Sequence, residues 1–414
     1  MISDMLALQV PLAVRRLLGV LMALGLLVFV VGLFLAPERI WPNFLIAEYY
    51  LLSLGLGATF LIAALYVSNA GWSVAIRRIP EAMTSTLIAA AVGAAVLIPG
   101  IHHLYHWSHE SAVAEDPILQ AKSAWLNPEF FILRLIIYFL IWIFMSRAIV
   151  RNSARQDENG DQIYTRRNVR NSAIFIIVGV YTTCLASIDL LMSLQPHWYS
   201  TVFAWISLSG MFLGGLAMVV VFLVILRKMG YRRIFTTDHL HDLGKLMHAF
   251  CFFWVYMWVS QHMLIWYSNI PEETSYYIFR HFGGWGSLSF LNVVLNWLIP
   301  FLLLLPRANK RDDKIMLQMA VVILIGRWLD LYIMVMPATF GAEPRLGIWE
   351  IGPMVGALAV FFWIVFRSLA KRNLVPIHDP YLCESLPDTA GRPAENPNFK
   401  IPNSKQIPNL KFKI

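Results

Sequence analysis

The side chains able to do chemistry in this sequence sit inside apolar runs. Glu48 lies in FLIAEYYLLSLGLG, His102, His103 and His106 close a run at IHHLYHW, and Arg134 lies in EFFILRLIIYFL. Asp189 falls in TTCLASIDLLMSL, His262 in WVYMWVSQHMLIWYS, and Arg327 and Asp330 in ILIGRWLDLYIM. An isolated charge at the centre of a bilayer costs roughly 2.5–3.5 kcal/mol on insertion scales, so such groups face a protein interior or water. Carboxylates and imidazoles placed there can carry protons or contact a quinone. Arg327 and Asp330, at i,i+3, share a helix face and can pair. Two readings stay open for them: an ion pair that fixes helix packing, or a charge pair tuning a proton-carrying or quinone-contacting carboxylate. Asp189, near Ser187 and Ser193, reads as a proton relay if it has no partner. His103 and His106 share a face at i,i+3, and His102 and His106 at i,i+4. At a helix exit they read as interfacial, proton-carrying or quinone-contacting groups, and a haem b site would need a second, facing imidazole. His262, beside Gln261, is deeper in its run. Trp254, Trp258 and Trp266 around it read as packing and belt residues.

These groups need helices through a membrane to position them. Of 414 residues 58% are hydrophobic and 14% charged, whereas soluble domains carry roughly 25% charged residues. The formal net charge of +8 lies in the connections between apolar runs, where it is a topology signal rather than a nucleic-acid footprint. Cys184, Cys251 and Cys383 are far apart, without CxxC or CxxCH spacing, which argues against c-type haem, an iron–sulfur cluster or structural zinc held by this chain. No nucleotide-binding loop or nucleophile elbow is present, and Gly283-Gly284-Trp285-Gly286 reads as a flexible helix start.

About ten runs are long enough to span, at 17–35, 43–68, 84–106, 129–150, 171–195, 199–228, 243–268, 286–305, 314–336 and 348–370. Alternating barrel patterning is absent, so the spans are helices. The first follows Arg15 and Arg16 but is too long for a signal-peptide core, and reads as an uncleaved span. Arg15, Arg16, Arg77, Arg78, the arginines of 147–170, Arg227, Lys228, Arg307, Lys310 and Arg367 fall on one side, whereas the other holds only Arg39, Lys122, Arg280 and Arg345. Both termini are therefore expected in the cytoplasm. Loops 107–128 and 269–285 are then extracytoplasmic, and 151–170 is a solvated cytoplasmic connection. The ionisable groups fall in the outer half of the membrane, with Glu48 starting span 2 and His248 the main group of the inner half. Residues 1–372 form the membrane domain. The proline-rich tail 373–414, ending in Lys400, Lys405, Lys411 and Lys413, is expected to be an extended cytoplasmic segment, either loose or lying along a partner or the headgroups.

A repeat recurs four spans apart. HHLYHWS closes span 3 and QHMLIWYS span 7, while SIDLLMSLQP in span 5 is matched by RWLDLYIMVMP in span 9. The expected fold is thus an all-α integral membrane protein with two four-helix bundles, spans 2–5 and 6–9, flanked by spans 1 and 10.

SLQPHWYSTVF, DLGKLMHAF, SQHMLIWYSNIPEET, LIPFLLLL and GRWLDLYIMVMP resemble the F-type membrane subunit (ActF) of bacterial alternative complex III, in the NrfD/polysulfide-reductase membrane-subunit superfamily. The resemblance runs over nearly all ten spans. It implies a subunit of a quinol:cytochrome c or quinol:terminal-oxidase oxidoreductase in a bacterial inner membrane. The implied partners are a larger homologous membrane subunit, an iron–sulfur subunit, a multihaem cytochrome c, lipids and, in some assemblies, a terminal oxidase. Haem c and iron–sulfur clusters would sit in those partners and none in this chain, while a quinone site here stays open. Carried over by position, the polar candidates are His103, Asp189, His262, Arg327 and Asp330, which join Glu48, Arg134 and His106 as candidates for a proton path or quinone site. Two further readings are a quinol-binding, NrfD-like anchor subunit and a secondary transporter.

Overall fold

In the computed structural model residues 8–281, 283–341 and 343–386 are described. The expectation of an extended tail over 387–414 lies outside them. Among the described residues ten helices are long and apolar enough to cross a membrane: Leu12–Leu35, Pro37–Val67, Arg78–Leu104, Pro128–Asn159, Ile163–Leu194, Thr201–Lys228, Thr237–Ser268, Trp285–Leu304, Asp313–Phe340 and Ile348–Leu369, numbered spans 1–10 in that order. The protein is an all-α multi-span membrane protein.

Spans 2–5 pack in a ring, as do spans 6–9, and the two rings meet along spans 2 and 6. Span 10 lies against spans 2 and 3 and carries span 1 on its outer side. Spans 2 and 6 are the hub, since 89% and 83% of their apolar windows are buried, against 17% for span 1. Glycines let these two backbones touch. A Cβ added at Gly215 would stand 2.8 Å from the carbonyl carbon of Gly57, and one at Gly57 would stand 2.5 Å from the Met211 carbonyl oxygen. Small residues at crossings give van der Waals contact that lipid cannot supply. Gly215→Val should therefore push the bundles apart and cost about 1–3 kcal/mol or more. An unchanged thermal unfolding midpoint in detergent would refute that contact.

The structure corrects several expectations. Residues 151–170 are not a solvated loop: spans 4 and 5 run on as a helical hairpin, turning only at 160–162. Gly160, at φ 66°, donates its N–H to the Gln156 carbonyl at 2.9 Å, and polar groups pair across the hairpin, Gln156 with Thr165 at 2.7 Å and Asn152 with Asn168 at 3.0 Å. Span 3 ends at Leu104. Tyr105 is extended and His106 opens a separate turn, so His103 and His106 share no helix face. Loops 107–128 and 269–285 contain short helices, of which Pro271–His281 packs back over the second bundle. The glycine-flanked Trp285 is not flexible but fully buried, its indole N–H donating to the Gly341 carbonyl at 2.8 Å.

The start of the tail, 373–386, is also folded. It lies on the face that carries the arginine-rich connections, called the basic face below. Asp379 pairs with Arg77, and both are buried. Ser385 Oγ donates to the Trp72 carbonyl at 2.6 Å and accepts from the Ala75 N–H at 2.9 Å. A buried guanidinium needs a counter-charge, and here the tail supplies it. In Asp379→Asn, trypsin should cut after the exposed Lys371 and Arg372 about tenfold faster, the equivalent of ~1.4 kcal/mol. Wild-type cleavage rates would refute the clamp.

Candidate functional site

The opposite face of the second bundle gathers the densest polar group. Span 9 carries Arg327 and Asp330, 5% and 2% exposed, with Arg327 Nη2 2.8 Å from Asp330 Oδ2. This is ion-pair distance without hydrogen-bond alignment. Room for the guanidinium comes from Gly210 of span 6, where an added Cβ would lie 2.0 Å from Arg327 Nη2. Asn292 of span 8 donates to Asp330 Oδ1 at 2.6 Å, and Asn296 Nδ2 donates to Asn292 Oδ1 at 2.6 Å. Between these residues the helix widens into a π segment, Val294–Leu298, a distortion frequent at functional sites. It leaves Asn296 against Gly326 of span 9, where a Cβ would meet the amide at 2.8 Å.

Asp330 borders a cavity of about 40 Å3, walled also by Asn292, Gln261, Arg280, Tyr276, Trp258 and His281. That is room for about three waters. Gln261 Nε2, Arg327 Nη1 and Asn296 Oδ1 are buried and have no hydrogen-bond partner among the described residues. Arg280, 3% exposed, closes the cavity from the helix Pro271–His281. It donates to the carbonyls of Ile333, Met334 and Tyr276 at 3.0 Å each and to Gln195 Oε1 at 3.2 Å, and it lies over the Tyr276 ring at 3.5 Å. No carboxylate pairs with it among the described residues, and burial holds its guanidinium below the usual range. Toward the surface stand His281 and His262, ring centroids 5.0 Å apart, with Tyr277 5.0 Å from His262 and Trp258 parallel to the His262 ring at 5.8 Å. His262 Nδ1 has no hydrogen-bond partner among the described residues.

The first bundle holds the counterpart, with its charges arranged otherwise. Asp189 is fully buried. Arg134 of span 4 donates through Nε to Oδ2 at 2.9 Å and through Nη2 to Oδ1 at 3.0 Å. The Tyr138 hydroxyl donates to Oδ2 at 3.0 Å and the Trp125 indole to Oδ1 at 2.9 Å. Arg134 also bonds the Trp125 carbonyl at 2.9 Å and lies between the Trp125 and Phe130 rings, at 4.2 and 4.5 Å. Both carboxylates thus sit on the fourth helix of their ring and receive donors from the third, as the repeat implies. Asp189 is not the unpartnered carboxylate that the proton-relay reading required; four donors enclose it.

Among the described residues, Glu48 is the unpartnered one. Span 2 starts at Pro37, so Glu48 lies roughly 16 Å along it rather than at its start. It is 6% exposed, Oε1 has no partner, and its carboxyl group rests against Gly93 of span 3, where a Cβ would stand 1.9 Å away. His102, His103 and His106 are exposed: His103 stacks on Trp41 at 6.3 Å, and His102 Nδ1 lies 3.1 Å from Ser108 Oγ. They join neither carboxylate cluster. Nor is the basic-face half of the bundles poor in charge. Arg78 bonds Glu81 at 2.5 Å and Ser153 at 3.1 Å and pairs with Asp157, all around the foot of the first bundle, while His248 stacks on Phe301 at 4.8 Å. On the face opposite the basic one, the half-buried Arg39 pairs with the buried Glu350 at 2.8 Å and ties span 10 to span 2.

Sequence reading missed Asn292, Asn296, Arg280, Tyr138 and Glu350. The two asparagines, four apart in an apolar run, were the available signal, as was Arg280 for being one of few cations on its side. The chain matches no protein-family model and no curated protein.

Proposed function

We propose that this chain is a membrane subunit of a quinol-oxidising respiratory complex, of the alternative complex III type, that holds no redox centre and supports proton movement. Its basic face is the cytoplasmic one, both termini lie inside, and the membrane is the bacterial inner membrane. The observation that carries this reading is the water-sized cavity joining Asp330 and Gln261 to the His281–His262 pair. A carboxylate, a short water run and imidazoles near the surface make a path for protons and for little else. At about 40 Å3 the cavity is far below the roughly 300 Å3 at which organic-ligand pockets begin, which favours protons over a quinol headgroup at this site. Partner subunits would supply the haem c and iron–sulfur clusters.

The test is purification of the tagged chain from its native membrane in mild detergent, with a visible spectrum and mass spectrometry of every copurifying subunit. Multihaem cytochrome and iron–sulfur subunits are expected, with quinol-dependent haem reduction. A colourless chain that purifies alone would overturn the assignment.

A further inference from the structure

On the hairpin of spans 4 and 5, one helix face changes its chemistry along its length. On span 4 the exposed positions Leu133, Ile137, Leu140 and Phe144 continue as Arg147, Arg151 and Arg155. These steps of three and four residues hold one face of a helix. On span 5 the exposed Tyr181, Ile177 and Ile174 continue as Arg170, Arg167 and Arg166. The opposite side of each helix, with Ser146, Ser153, Asn168 and Ser172, is buried in the bundle. Pro128 starts span 4 at the far interface, so Arg147 lies roughly 28 Å along it, where a hydrocarbon core of about 30 Å ends. The arginines therefore begin at the depth of the phosphates.

All six are exposed, and none forms an ion pair or hydrogen bond within the described chain; Arg167 alone has a local contact, 5.7 Å from the Tyr164 ring. The neighbouring acids do not neutralise the stripe. Asp157 pairs with Arg78, Asp161 accepts the Ile163 N–H at 2.9 Å, and Glu158 lies at the tip.

We propose that this stripe is a binding surface for anionic phospholipid headgroups, held against the lipid-facing side of the first bundle. Guanidinium groups bind phosphate oxygens in a forked geometry, and the apolar half of each stripe meets the acyl chains of the same lipids. Continuity with the hydrocarbon-facing positions favours lipid over a water-soluble acidic protein. The surface is independent of the Asp330 cluster and of the subunit reading.

The full chain is reconstituted in vesicles of equal parts phosphatidylcholine and phosphatidylglycerol, and association of each spin-labelled lipid is read by electron paramagnetic resonance. The wild type should prefer phosphatidylglycerol severalfold at low salt, about the size of one arginine–phosphate contact near the surface, and the preference should shrink as arginines are removed. Replacing all six by glutamine should bring the two lipids to equal association, whereas replacing all six by lysine should keep most of the preference. Equal association in the wild type, or an undiminished preference in the glutamine variant, overturns the proposal. So does an acidic protein that copurifies only with the arginine form while lipid preference is unmoved.

Discussion

Arg134→Met is expected to lower stability by roughly 3–5 kcal/mol, because removing one partner of a buried pair leaves the other charge uncompensated. Asp189 is fully buried and takes two of its four hydrogen bonds from Arg134. Tyr138 and Trp125 cannot replace the charge. Asp189→Asn should also destabilise, since Arg134 would lose its counter-charge and one of its two acceptors on residue 189. The double variant Arg134→Met/Asp189→Leu should recover much of the loss, because apolar replacement of a whole buried pair is often neutral. Thermal unfolding in detergent of the two singles, Asp189→Leu and the double completes the cycle. A loss below about 1 kcal/mol in Arg134→Met would mean that the pair does not hold spans 4 and 5 together.

Asp330→Asn is expected to reduce proton movement coupled to quinol oxidation by roughly a hundredfold, the lower range for removing a positioned proton-transfer group. The amide fits the same space beside Asn292 and borders the same cavity, but it carries no exchangeable acid proton. The variant also takes the counter-charge from Arg327, which still has the Trp254 ring at 5.6 Å, so the unfolding midpoint is measured alongside. Asp189→Asn is the control. It should move stability more than coupling, because four donors enclose its carboxylate. Proteoliposomes of the purified complex with an internal pH dye give the readout. Wild-type coupling in Asp330→Asn would remove this residue from the proton path.

The two carboxylates show where the sequence was readable. Arg327 and Asp330 are three residues apart, and helical periodicity alone predicts that they meet. Arg134 and Asp189 are 55 positions apart, and nothing in the spacing joins them until spans 4 and 5 are paired. Taken singly, Asp189 left open whether it has a partner, whereas Glu48, placed at the start of its span by hydropathy, is the carboxylate without one among the described residues. Arg280 looked like a solvated loop charge. Its burial depends on Pro271–His281 folding back over the second bundle, which no local pattern announces. The tail 373–386 was misread for a related reason: its composition cannot make a core, but it need not, since Arg77 and Trp72 offer it one.

By itself the sequence determined the all-helical class, about ten spans and the grouping of spans 2–9 into two four-helix rings. Each follows from the length of apolar runs, from the cost of unpaired backbone groups in lipid and from a repeat spaced four helices apart. Only the tertiary structure decided which charges are buried and paired, which border a cavity and which stay exposed. A charge finds its partner by distance in space, and that distance is set by helix packing between residues far apart in the chain. Hydropathy measures how costly a buried charge is. It does not record what stands next to it.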